Sequence, residues 1–269
     1  MSRNIALIVE YDGTRFAGFQ RQSNAISVQG ELESAIRALT GRESKIRGAG
    51  RTDAGVHATG QVVAFWTDSI LEVVRFRYGL NHYLPSDIAI LEACEVENDF
   101  DPRRDALSRI YRYTVLVRDG PAPLRRLRVQ IVDKWPDLDA MMEVLGYIEG
   151  ERDFAPFSGD PGTRKTTIRR LDRAFVWQEK DEIIFEIEAS GFLPQQVRRM
   201  VAAALNVGLG NINKEKFKEL ADSQVRGAAH WVLPARGLCL QEVKYKNFPP
   251  RDHARSKDNK TYATSPLNF

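Results

Sequence analysis

The sequence predicts an α+β fold with a mostly antiparallel sheet, and three observations carry that expectation. Strand-like runs follow one another closely enough to pair antiparallel at several places. Helical periods fall between them irregularly, without the strand-helix alternation of a doubly wound sheet. An apolar content of 43% in 269 residues is enough to bury a sizeable core.

Residues 5–11 read as a buried strand that ends at the Asp12-Gly13 turn. Ser27 is an expected N-cap, and Val28, Leu32, Ala35, Ile36 and Leu39 recur at helical spacing before Gly41. Residues 61–67 form a strand. Residues 70–81 form a helix with Leu71, Val74, Tyr78 and Leu80 as its apolar residues, and 88–96 a further strand after the turn at 84–87. The segment 107–118 alternates, with Ile110, Tyr113 and Val115 among Arg109, Arg112 and Thr114. Residues 120–123, Gly-Pro-Ala-Pro, read as a linker before 127–132. A helix at 137–149 precedes a hairpin of 170–177 and 183–189, joined near Lys180-Asp181. An amphipathic helix at 195–207, a shorter one near 213–221 and a strand at 238–245 follow. Residues 1–105 and 106–247 each mix strands with helices, which suggests two lobes, and the polar stretch 248–269 is an expected mobile tail.

The net charge is only +3, but its distribution is uneven. Residues 101–130 hold eight arginines against three aspartates, and 161–173 hold four arginines and a lysine against one aspartate. Such clusters suit phosphate contacts or, equally, strand edges guarded against pairing. Cys94 and Cys239 stand far apart, with no Cys-x-x-Cys pair or Cys/His cluster, so neither a zinc site nor a disulfide framework is indicated. A reducing cytoplasm is the simplest setting. No signal peptide and no membrane-length apolar run is visible.

The segment 48–57, Gly-Ala-Gly-Arg-Thr-Asp-Ala-Gly-Val-His, is the most informative. It sets Asp53 between glycines, with Arg51 two residues before it and His57 four after. Glycines at 48, 50 and 55 permit a sharply bent backbone. A carboxylate held beside a permanent cation is a candidate nucleophile or base. The same residues also suit a surface turn in which Arg51 and Asp53 form an exposed ion pair of little worth.

The stretch 50–57, Gly-Arg-Thr-Asp-Ala-Gly-Val-His, strongly resembles the signature of the TruA family, the tRNA pseudouridine synthases of the anticodon stem-loop. Four more segments agree in order: Tyr11-Asp12-Gly13-Thr14 with Gly18-Phe19-Gln20-Arg21-Gln22; Ser108-Arg109-Ile110-Tyr111-Arg112-Tyr113; Phe192-Leu193 with Val197-Arg198; and 234–240, Pro-Ala-Arg-Gly-Leu-Cys-Leu. They span residues 4 to 245. Phe19 stands where many members have Trp, and Gln195-Gln196 where many have His and Met near the Val-Arg pair.

The resemblance implies the pseudouridine synthase fold, with an active-site cleft between two lobes, and isomerisation of uridines at positions 38–40 without a cofactor or metal. Asp53 matches the family's catalytic aspartate, which attacks the ribose C1′ or abstracts the C2′ proton. Arg198 matches the arginine that pairs with it, and Tyr111 the active-site tyrosine that stacks on the flipped uracil. Leu238 matches the aliphatic residue on the other side of the base. Arg51, His57, Arg21 and Arg109 are the further expected substrate contacts, with a structural or RNA-positioning role preferred for His57. Arg103, Arg104, Arg125, Arg126, Arg164, Lys165 and Arg169 are expected on the RNA backbone. The implied partners are tRNA and a second copy of the chain, in the cytoplasm.

Three other readings are weaker. A non-catalytic RNA-binding module would not need Asp53. A hydrolase built on Asp53 and His57 lacks a metal cluster, a second carboxylate or a nucleophilic serine nearby. A nucleotide-dependent transferase is disfavoured because Asp53 sits where a dinucleotide loop opened by Gly48-Ala49-Gly50 needs its third glycine.

Overall fold

A computed structural model describes residues 2–159 and 166–248. In chain order the elements are β1 (Arg3–Tyr11), α1 (Val28–Thr40), β2 (Arg47–Gly48), β3 (His57–Thr67), α2 (Val73–Tyr83), β4 (Ile88–Val96), β5 (Ser108–Val117), β6 (Gln130–Val132), α3 (Leu138–Tyr147), β7 (Gly150–Asp153), β8 (Ile168–Glu179), β9 (Glu182–Ala189), α4 (Gln196–Gly208), α5 (Lys214–Asp222) and β10 (Leu238–Lys244). Among the described residues these strands form one sheet, ordered β4-β1-β3-β10-β5-β9-β8-β7, with β2 on β3 and β6 on β5.

The last strand is therefore the hinge of the sheet. β10 runs parallel to the start of β3, Cys239 opposite His57, and antiparallel to β5, Leu238 opposite Tyr113. The other parallel pairing among the described strands is β5 with β6; the rest are antiparallel. The α+β class with mostly antiparallel sheet follows from that topology. α1 packs on α2, and α2 on β4, while α3 lies over β8 and beside α4. One apolar core joins both halves, from Leu7, Val63 and Phe65 to Val115, Phe185, Ile187 and Met200.

The expected cap at Ser27 is present, and the structure adds two more. Ser27 accepts from the Gly30 N–H, Asp137 from Ala140 and Asn213 from Lys216. Gly41 closes α1 at φ 73°. Other expectations need correction. α2 begins at Val73, because Arg3 donates to the Ser69 and Leu71 carbonyls and holds that segment outside the helix. Its buried residues are Phe76 and Leu80, with Val74 and Tyr78 exposed. β3 starts four residues early, at His57, since Tyr11 pairs with Ala58 and Cys239 with His57. The segment 120–123 is more than a linker: Ala122 packs with Leu116 and Val129 in a small core of its own. The expected tail lies outside the described residues except Phe248, which is buried against Phe100 and Tyr245.

Candidate active site

The loop between β2 and β3 presents Asp53, and its backbone is held on several sides. The Phe19 N–H donates to the Thr52 carbonyl, Gly55 to Phe16 and Val56 to Asp53. The Tyr11 and Thr52 hydroxyls share a 2.8 Å hydrogen bond, and buried Gln61 donates to the Gly50 carbonyl. Only Gly55 of the loop's three glycines takes a positive φ, 79°. Gly48 serves instead for close approach: a Cβ there would stand 2.6 Å from the Phe19 ring.

Asp53 is met by Arg198 of α4, whose Nη1 donates to Oδ2 at 3.2 Å. Arg198 lies in the first turn of α4, where the helix dipole disfavours a cation. The Asp53 carboxylate and the Leu233 carbonyl, which accepts from Nε at 2.7 Å, compensate. Arg198 is the partner that the family resemblance implied for Asp53; the Arg51–Asp53 ion pair of the surface-turn reading does not form among the described residues. Arg51 is exposed and makes no hydrogen bond or ion pair among the described residues.

Tyr111 comes from β5, its ring edge-on to Phe192 at 5.2 Å. The residue is 8% exposed, yet its hydroxyl has no hydrogen-bond partner among the described residues. Burial first, then the neighbouring Tyr11 and Asp53, pushes that hydroxyl well above its ordinary pKa. It therefore keeps its proton at neutral pH.

Tyr111 also lines a cavity of about 600 Å³ bounded by the loop at 48–51, by Arg109 and by the segment 190–192. Arg47, Arg51, Arg103, Arg109 and Arg169 face it against the single carboxylate of Asp101. Asp53 itself stands outside this lining, so Tyr111 is the group common to both. Burial, reinforced by Arg103, lowers the pKa of Arg169.

Other expected contacts sit differently. His57 is 3% exposed and is engaged at both nitrogens: Gly13 donates to Nδ1 at 3.0 Å, and Nε2–H donates to the Leu127 and Arg236 carbonyls. It joins three chain segments, contacts that fit the structural role preferred for it over that of a substrate contact. Burial lowers its pKa more than Asp12, 3.2 Å away, raises it. Arg21 is held by Glu33 at 2.9 Å, away from the cavity lining. Leu238 is 5% exposed and opposite Tyr113 in the sheet.

Of the arginines expected on the RNA backbone, Arg103 and Arg169 reach the cavity. Arg104 pairs with Asp105, Arg125 with Asp181 and Glu182, and Arg126 bonds the Pro123 carbonyl of its own turn. Arg164 and Lys165 lie outside the described residues. Arg47 was missed because nothing in its local sequence marks it; only the short β2–β3 pairing brings it to the cavity. The Gln195-Gln196 pair is structural in its contacts. Gln195 adopts φ 60° and accepts from Arg199, while buried Gln196 accepts from the Leu193 N–H. Among the described residues no three His, Cys, Asp or Glu side chains gather as a metal-binding group, and no helix is long and apolar enough to cross a membrane.

The sequence model of the tRNA pseudouridine synthase family matches residues 7–104 and 145–246. The chain is 42% identical over 244 residues to the tRNA pseudouridine synthase A of Geobacter sp. (strain M21), an alignment covering 90% of this chain and 99% of that one. The Citrifermentans bemidjiense protein of the same name is 41% identical over 245 residues, 91% of this chain and 98% of its own. A crystal structure of a Cbf5-Nop10-Gar1 complex aligns with 75% of this chain and 45% of its own at 15% identity, with a TM-score of 0.33, too low to bear on the site.

Proposed function

Since this chain belongs to the tRNA pseudouridine synthase family, we propose that it isomerises uridine to pseudouridine in the tRNA anticodon stem-loop, at positions 38–40, through Asp53. The observation that carries this reading is the Asp53–Arg198 pair, with Tyr111, whose hydroxyl has no partner among the described residues, linking it to an arginine-lined cavity.

The reaction breaks the N1–C1′ bond, turns the uracil and joins its C5 to C1′; the C5 proton is lost and N1 gains one. Asp53 acts as a nucleophile on C1′ or as a base on the C2′ proton, and both roles need its carboxylate. Arg198 aims and compensates that carboxylate. The target base lies in a stem and must be flipped out to be reached. Tyr111 then offers its ring for stacking, worth about 1–3 kcal/mol per base, and a protonated hydroxyl for hydrogen bonding to the uracil. Leu238 supports the opposite side of the pocket from β10. Arg51, Arg103 and Arg169 hold backbone phosphates, which positions RNA without reading its sequence.

The lobes 1–105 and 106–247 act as the two sides of the cleft, with β10 between them. A homodimer holding one tRNA would double the +3 charge of a single chain, and the cytoplasm is the setting of such a substrate. The test is tritium release from C5-labelled uridine in a tRNA transcript, with wild type beside Asp53→Ala. Release by wild type alone, with both proteins binding tRNA, is the expected result. Binding by both and release by neither would make the protein an RNA-binding module.

A further inference from the structure

Arg109 lies on β5 two residues before Tyr111, so both side chains leave the same face of the strand. It is 8% exposed, and among the described residues no carboxylate stands within ion-pair distance of it. Its guanidinium donates instead to four backbone carbonyls. Nη1 reaches Ser190 at 2.7 Å and Ala106 at 3.4 Å; Nη2 reaches Ala49 at 2.8 Å and Arg103 at 2.9 Å.

These carbonyls belong to three distant segments. Ala49 leads into the Asp53 loop. Ser190 opens the connector that carries Phe192 onto the Tyr111 ring. Arg103 and Ala106 form the approach to β5. The negative ends of four carbonyl dipoles thus converge on one buried cation and stand in for a counter-ion. The Ala49 and Ser190 bonds tie the loop wall of the cavity, which leads to Asp53, to its Phe192 wall, and the other two anchor the guanidinium to the approach to β5.

We propose that Arg109 is a positioning residue, which fixes the spacing between the Asp53 loop and the Phe192–Tyr111 wall and does not itself hold the RNA backbone. The inference rests on reading this site as a pseudouridine synthase centre. Four of the guanidinium's five N–H donors are already directed at the protein. A planar fork can span carbonyls on opposite sides; a lysine ammonium, with three donors on one nitrogen, cannot hold the same four.

The experiment compares Arg109→Lys and Arg109→Met with wild type. It measures kcat and KM on a tRNA transcript, the salt dependence of tRNA Kd, and thermal melting as a check of folding. Both variants are expected to lose about 10²-fold in kcat, as for a displacement of about 1 Å at a reacting centre. KM and the salt slope are expected to stay at wild-type values. Methylguanidinium added to Arg109→Ala is expected to restore part of the lost kcat. An Arg109→Lys enzyme with wild-type kcat overturns the proposal. So does a salt slope shallower by about one in Arg109→Met, which marks a lost phosphate contact. Where Arg109→Met does not fold, Arg109→Lys decides by the same criteria. Absence of turnover by wild type sinks the reading of the site itself, and the salt slopes then still decide whether Arg109 touches RNA.

Discussion

Asp53 and His57 stand four residues apart on one turn, and the fold treats them in opposite ways. His57 is enclosed, and backbone groups from three segments engage both its nitrogens. Asp53 is 36% exposed, and only one oxygen of its carboxylate has a partner among the described residues. The partner matters as well. His57 is engaged by backbone groups, with the Asp12 carboxylate from a neighbouring segment 3.2 Å from Nδ1, whereas Asp53 meets a single side chain from α4, 145 residues later in the chain. A titratable group sealed by backbone holds the fold together; one left with an open atom is available to a substrate. Tyr111 and Tyr113 repeat the contrast on β5. The Tyr113 hydroxyl donates to the Pro234 carbonyl at 2.8 Å, and that of Tyr111 has no partner among the described residues.

The sharpest break of this contrast is Asp53→Asn. It is expected to abolish turnover, a loss of about 10⁴-fold or more, while melting and tRNA binding stay close to wild type. Asp53 is more than a third exposed, so losing its ion pair costs about 1 kcal/mol or less. A residual kcat within tenfold of wild type would remove Asp53 from the chemistry. Next is Arg198→Met, which leaves Asp53 unaimed and the Leu233 carbonyl without its donor. A fall of about 10²-fold in kcat is expected, with partial recovery in Arg198→Lys, measured in single-turnover assays.

Tyr111→Phe keeps the ring and removes only the open hydroxyl. Stability is expected to hold, with activity falling by about 10²-fold. Tyr113→Phe should do the reverse, losing about 0.5–1.5 kcal/mol of stability with its hydrogen bond and little activity. Equal effects of the two variants on kcat would erase the distinction between them.

The smallest effect expected is the pH dependence contributed by His57. Its folded pKa lies below the ordinary value of about 6.5, so between the two values the unfolded chain binds the extra proton. Stability is thus fully present above about pH 6.5 and declines as pH falls towards the folded pKa. Melting curves from pH 7.5 to 5 should show that decline in wild type and a flatter profile in His57→Gln. An identical slope in both would show that His57 does not carry it.

Much of the molecule could be read locally. The cap at Ser27 and the β8–β9 turn are short-range effects of a side-chain oxygen and chain reversal, so a single sequence exposes them. The shift of α2 was hidden because Arg3, some 70 residues away, holds the carbonyls that precede the helix. The contacts of the arginines expected on RNA were hidden for a related reason. Arg125 is one residue of a basic run in sequence, but in space its neighbours are Asp181 and Glu182 at the tip of a hairpin.

The sequence by itself determined the kinds of element, the α+β class, the bend around Asp53 and, through five ordered motifs, the family. These depend on periodicity, capping and residue identity, which act over a few positions. The resemblance also named Arg198 as the partner of Asp53, and the structure shows that pair; only the tertiary structure decided its geometry, which charged groups are sealed, and which atoms stay open. Arg51 is near in sequence yet makes no ion pair with Asp53 among the described residues, while Arg198 reaches it because α4 packs on the half of the sheet that β10 joins to β3. Charge pairing depends on distance in space, and the register of that sheet sets the distance.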